Sequence, residues 1–173
     1  MKDLKLKDLV IKKPPVYYII YSAIIALGII LDQLTKFLAT EFLKPVVEVP
    51  IIKDIIHLRY HTNRGMAFGL LENQRWIFIT ISTIAIVAFM LYLFLGHANG
   101  TLYSVGIALV ISGGIGNMID RIALGYVVDF IYFKVINFAI FNGADSFVCI
   151  GAGLLILAMI KDIRAEMKTG KKE

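Results

Sequence analysis

GGIGNMIDR at 113–121, VVDF at 127–130 and FNGAD at 141–145 decide how this 173-residue chain must fold. Within them Asn117, Asp120, Arg121, Asp129, Asn142 and Asp145 fall beside or inside segments otherwise apolar enough to cross a bilayer. A carboxylate at a bilayer centre costs roughly 3 kcal/mol on insertion scales, so acids in such segments are functional candidates. The rest of the chain reads as the scaffold that holds these groups.

Composition supports a membrane setting. The hydrophobic fraction is 58% and the mean hydropathy +0.77, well above the apolar share of soluble domains. A net charge of +5 does not by itself suggest nucleic acid as a partner, because ten of the 18 Lys and Arg lie in the two tails. That distribution matches cytoplasmic anchoring. The single cysteine, Cys149, excludes an internal disulfide and sits in mid-span, where it reads as a packing residue. There is no internal repeat and no low-complexity stretch, so the chain reads as one integral membrane domain.

Outward from the central stretch, four spans emerge at about 14–37, 76–96, 102–121 and 144–161. Met1 to Lys13 carries five lysines among apolar residues and reads either as a surface amphipathic segment or as a plain cytosolic tail. Pro14 to Leu31 is an uncharged run of 18 residues, about 27 Å as a helix. It continues into DQLTK rather than a small-residue cleavage site, so it reads as a retained span and not a signal peptide. In the segment 40–75, Pro45 and Pro50 break helical readings, while VVEV and IIKDIIHLRY favour strands. The segment 122–143 returns to strand-like, aromatic-rich alternation.

The basic tails place both termini in the cytoplasm, and four spans keep them on one side. The first span then ends outside at Asp32 and Lys36. Asn63 to Gly69 precede the outer end of the second, the third ends at Asn117, Asp120 and Arg121, and the fourth begins at Asp145. Four polar clusters therefore reach the same leaflet. The uncharged part of the fourth span is only 15 residues, about 22 Å against a hydrocarbon core of about 30 Å. That shortfall argues for Asn142 and Asp145 drawn below the surface into a protein-lined pocket.

Asp129 and Asp145 are the candidate catalytic pair. Two close carboxylates do not both ionise easily, so one keeps a proton while the other activates a water, and peptide hydrolysis follows without metal or covalent nucleophile. The residues alone leave open the alternative that each is a loop-end carboxylate bonded to backbone or to a cation. Asn117, Asp120 and Arg121 share a helix face, with an Asp120–Arg121 ion pair expected. Asp32 and Lys36, also on one face, read as a positioning salt bridge. Gly113, Gly114 and Gly116 read as sites of close helix approach. His57 and His61 have zinc-pair spacing but lack the metalloprotease glutamate and fall in a strand-like segment. Ser146 has no base beside it and reads as a local hydrogen-bonding residue. No metal or other cofactor is expected.

Taken together, DQLTK at 32–36, NRGMAFG at 63–69, GGIGNMIDR, VVDF and FNGAD resemble the ordered signature of lipoprotein signal peptidases (signal peptidase II). The resemblance implies an inner-membrane aspartic endopeptidase that cuts diacylglyceryl-modified prolipoproteins just before the lipidated cysteine. It implies an Asp129–Asp145 dyad and supporting or substrate-binding roles for Asn63, Gly65, Asn117, Arg121, Asn142 and Ala144. Asp32, Lys36 and Asp120 would form the structural polar surround. It further implies a mainly α-helical membrane protein with a small extracytoplasmic sheet and a covering helix or loop, acting as a monomer among membrane lipids. Gly143 and Ala139 depart from the usual pattern, which is expected to loosen the loop before Asp145. The rival class is a small transporter or proton conductor, which requires polar groups at several depths of the spans.

Overall fold

A computed structural model describes residue 11 and residues 13–65 and 75–169. The covering element expected before the second span, most of the N-terminal tail and the last four residues lie outside these. Four helices are long and apolar enough to cross a membrane: α1 (Pro15–Leu38), α2 (Arg75–Phe94), α3 (Thr101–Ala123) and α4 (Gly143–Thr169). Pro15 opens α1 at its first turn, where a missing N–H costs nothing. α1 ends in a π-helical turn, Ala39–Leu43. α4 runs beyond the apolar stretch, carrying Lys161, Asp162 and Arg164 on its exposed last turns.

α3 is the central element and packs against each of the other three helices. Tyr21, Ile25, Leu93, Ile107, Ala108 and Ile111 form the bundle core. Close approach is built into its sequence. A Cβ at Gly113 would lie 2.2 Å from the Ala144 carbonyl oxygen, and one at Gly116 would lie 2.4 Å from Asp32 Oδ2. The outer helix faces are apolar too: Ile19 is 67% exposed and Ile84 66%, as lipid contact requires. Cys149 is exposed on α4, so it faces outward and the packing role expected for it is corrected.

The segments before α2 and after α3 supply one antiparallel sheet, in the order β1 (Glu48–Ile52), β2 (Ile56–Asn63), β3 (Val127–Phe133). Pro50 falls in β1, an edge strand, where a missing donor is tolerated. In the β2–β3 ladder Asn63 faces Val127, His61 faces Asp129 and Ile56 faces Phe133. The sheet docks on the end of α1, where Ala39, Leu43 and Val128 are buried together against Leu58, Tyr60, Tyr126 and Phe130. An apolar cavity of about 460 Å³ remains at this junction, lined in part by Leu38, Phe42, Leu58 and Phe130.

Candidate active site

The site is assembled around the N-terminus of α4. The first amides of a helix have no partner within it, and here side chains supply them. Asp145 N–H donates to Asn142 Oδ1 at 2.9 Å, and Asn142 N–H donates back to Asp145 Oδ2 at 3.2 Å, a reciprocal capping box. Ala144 N–H donates to Asp32 Oδ1 of α1 at 2.8 Å. Ala144 is fully buried beneath Gly113, a position with no room for a larger side chain. Ser146 Oγ donates to the Asn142 carbonyl at 3.0 Å.

Lys36 ties α1 to α3. Its ammonium lies 2.8 Å from Asp32 Oδ2 and 3.2 Å from Asp120 Oδ2, and donates to Asn117 Oδ1 at 2.9 Å. Lys36 and Asp32 are 3% and 0% exposed, so all three ammonium donors are spent on protein acceptors. Asp120 also accepts the Val128 N–H at 3.0 Å, which fastens β3 to α3. Gln33, whose part was not evident from the sequence, donates to Asp120 Oδ1 at 3.0 Å and to the Gly116 carbonyl at 3.2 Å. Its position within DQLTK was the available signal. The Asp120–Arg121 pair expected from the sequence does not form. Adjacent residues on a helix point about 100° apart, so Asp120 turns inward to Lys36, while Arg121 lies over the Phe78 ring at 5.1 Å and donates to the Asn117 carbonyl at 3.3 Å.

From this frame two amides reach the acids. Asn142 Nδ2 donates to Asp129 Oδ1 at 2.7 Å and lies 3.0 Å from Asn117 Oδ1. Asn117 Nδ2 donates to Asp145 Oδ1 at 2.8 Å. Asp129 Oδ2 accepts from Asn63 Nδ2 at 2.9 Å, and Gly65 N–H holds the other end of that amide through Asn63 Oδ1 at 3.0 Å. Asp129 and Asp145 are thus brought to one place, each bonded to Asn142. Asp129 is 1% exposed. Burial and the charge of Asp145 push its carboxyl up to about 7, against the opposing pull of Asn63, Asn142 and Lys36.

His57 and His61 lie on a strand rather than a helix; His57 Nδ1 is 2.5 Å from Glu48 Oε1, and burial lowers the His61 pKa. Among the described residues no cluster of His, Cys, Asp and Glu is arranged to hold a metal. The loop before Asp145 is pinned rather than loose. Phe141 exchanges backbone hydrogen bonds with Ile131 at 2.8 and 3.0 Å, and its ring stacks on Phe133. A Cβ at Gly143 would make ordinary contacts at 3.5 Å or more.

A buried acid-rich cluster at one end of four apolar, membrane-length helices places the chain in a class, the multi-pass membrane proteins. The family model described as signal peptidase (SPase) II matches residues 24–161. A lipoprotein signal peptidase of Caldanaerobacter subterraneus subsp. tengcongensis is 45% identical over 137 residues, covering 79% of this chain and 93% of that protein. One from Clostridioides difficile is 45% identical over 143 residues, covering 82% and 95%. A bacterial membrane enzyme solved by the in meso method at 2.3 Å superposes with a TM-score of 0.76 at 34% identity, covering 83% of this chain and 88% of the other. The chain belongs to the signal peptidase II family.

Proposed function

We propose that this protein is an aspartic endopeptidase that removes signal peptides from diacylglyceryl-modified prolipoproteins, cutting before the lipidated cysteine. The observation that carries this reading is the Asn142 bridge, which holds Asp129 and Asp145 together in a buried setting. Near neutral pH the pair holds one proton between them. The ionised member takes a proton from water as the water attacks the scissile carbonyl, and the protonated member donates to the carbonyl oxygen and then to the leaving amine. Asn63, Asn117 and Asn142 keep both carboxyls oriented, and Arg121, half-buried beside Phe78, offers donors to the substrate backbone.

The basic tails favour cytoplasmic termini, which puts the sheet and the dyad at the outer face of the inner membrane. A diacylglyceryl anchor holds its cysteine at that depth, so remote apolar binding places the scissile bond. Substrate lipoproteins and surrounding lipids are then the partners of a monomeric enzyme that needs no cofactor. A transporter is disfavoured because the acids gather at one end while the other half of the bundle is packed with apolar side chains, Leu93, Ile107 and Ile111 among them. The deciding experiment compares cleavage of a lipidated prolipoprotein peptide with its unlipidated twin by the wild type and by Asp129→Asn and Asp145→Asn. Turnover of only the lipidated peptide, abolished in both variants, is expected. Undiminished turnover by either variant refutes the dyad.

A further inference from the structure

Arg121 is a cation set beside two buried acids, yet it is paired with neither. Its Nη1 donates to the Asn117 carbonyl at 3.3 Å, and among the described residues no carboxylate forms an ion pair with it. Asp145 is close by. Asn117, which accepts from Arg121 with its backbone, donates to Asp145 Oδ1 with its side chain at 2.8 Å. Asp145 is also the carboxylate that acts most strongly on the Arg121 charge, ahead of Asp129 and Asp120. Opposite charges attract strongly at a half-buried site, so the guanidinium must be held where it is.

The holder is α2. The Phe78 ring lies 5.1 Å from the Arg121 guanidinium carbon, within cation–π reach, and both residues are half-buried. Contacts further along fix the ring by registering α2 on α3. Thr83 Oγ1 donates to Met118 Sδ at 3.5 Å, and Ile86 packs so close to Gly114 that an added Cβ there would lie 3.2 Å from it. The other charged groups facing Asp145 and Arg121 are Lys36 of α1, Asp120 of α3 and Asp129 of β3. The Lys36 donors are already spent on Asp32, Asp120 and Asn117.

We propose that Phe78 is a positioning residue, whose ring keeps Arg121 off Asp145 so that the Asp129–Asp145 pair retains the proton it shares. A guanidinium seated on Asp145 favours ionisation of both carboxyls, and the pair then lacks the acid that the leaving amine needs. Held against the ring, the guanidinium instead keeps its remaining donors free for the substrate. This inference rests on the reading of the two aspartates as a proton-sharing pair and adds the residue that protects that proton.

The test follows the infrared carbonyl band of the protonated carboxyl against pH, in the full chain in detergent, the band being assigned by its loss in Asp129→Asn. Cleavage of a lipidated prolipoprotein peptide is followed in parallel. In Phe78→Leu and Phe78→Met, which remain apolar but lose the ring, the midpoint at which the band vanishes is expected to drop by about one pH unit or more. The alkaline limb of cleavage drops with it. Phe78→Tyr, which restores a ring, keeps the wild-type midpoint. Added to Arg121→Gln, Phe78→Leu causes no further drop. A wild-type midpoint in both Phe78→Leu and Phe78→Met overturns the proposal, as does a drop that persists without Arg121. Failure of the catalytic reading looks different: Asp129→Asn then cleaves undiminished, which removes the proton-sharing pair and this proposal with it.

Discussion

Asn142 Nδ2 donates to Asp129 Oδ1 at 2.7 Å while its backbone N–H donates to Asp145 Oδ2 at 3.2 Å. One residue thereby caps a membrane helix and spaces the two acids, so the proposed catalytic pair and the start of α4 share a single part.

Asn142→Ala removes both functions at once. Loss of the cap costs about 1 kcal/mol, and the unpartnered Asp129 oxygen adds about 1–3 kcal/mol more. Thermal unfolding in detergent should show a lower Tm, and kcat should fall far more than KM changes. A variant that lost only stability, with kcat intact, would detach Asn142 from the chemistry.

The raised Asp129 pKa fixes the sign of a pH effect. Its folded value, about 7, exceeds the unfolded value of 3.8, so the folded state holds the proton more tightly. Its contribution to stability is complete below about pH 4 and is lost as pH rises through 7. Tm measured from pH 4 to 8 should fall across that window in the wild type and fall less in Asp129→Asn. Peptidase activity should also decline above about pH 7, where the pair loses its proton; a rate still rising at pH 9 would contradict this.

Lys36→Met leaves Asp32 and Asp120 buried beside each other without their cation. Breaking a buried pair this way costs about 3–5 kcal/mol, and Asn117 Oδ1 loses one of its two donors, keeping only Asn142 Nδ2. Reduced yield of folded protein is expected, partly restored when Asp120→Asn is added. Equal stability of Lys36→Met and the wild type by thermal unfolding would show the network to be dispensable.

Two glycines near Asp32 should behave oppositely. A methyl group at Gly116 lands 2.4 Å from Asp32 Oδ2, whereas at Gly143 its nearest contact is 3.5 Å. Gly116→Ala should displace Asp32 and with it the Ala144 amide, lowering both Tm and activity. Gly143→Ala should leave activity unchanged and gain about 0.4–1 kcal/mol by restricting the unfolded chain. Matching losses in the two variants would argue that backbone freedom, not space, governs this region.

Four apolar runs, the strand-like flanks with Pro45 and Pro50, and acids placed where lipid should be were enough to define a membrane bundle with strand-forming flanks and a polar cluster at one end; that the strands join in one small sheet came from the resemblance. Those features are local: hydropathy over some 20 residues and β-branched alternation are set by neighbours in sequence. Other contacts depend on rotation and depth, which sequence spacing does not encode. Asp120 and Arg121 are adjacent, yet only packing of α3 on α1 decided that Asp120 meets Lys36 and Arg121 meets Phe78. Cys149 lies on α4 in a span apolar on every side, so nothing in its neighbours said which face was lipid. Gln33 carried no charge to mark it, and its role arose from the approach of α3 at Gly116.

By itself, then, the order of residues determined which segments cross the membrane and which side chains were too costly to sit there without partners. Apart from the Asp32–Lys36 pair, which its i, i+4 spacing announced, only the tertiary structure decided who those partners are. Hydrogen bonds from Lys36, Asn63, Asn117 and Asn142 join residues up to 81 positions apart. Their geometry comes from helices that glycines allow to approach closely.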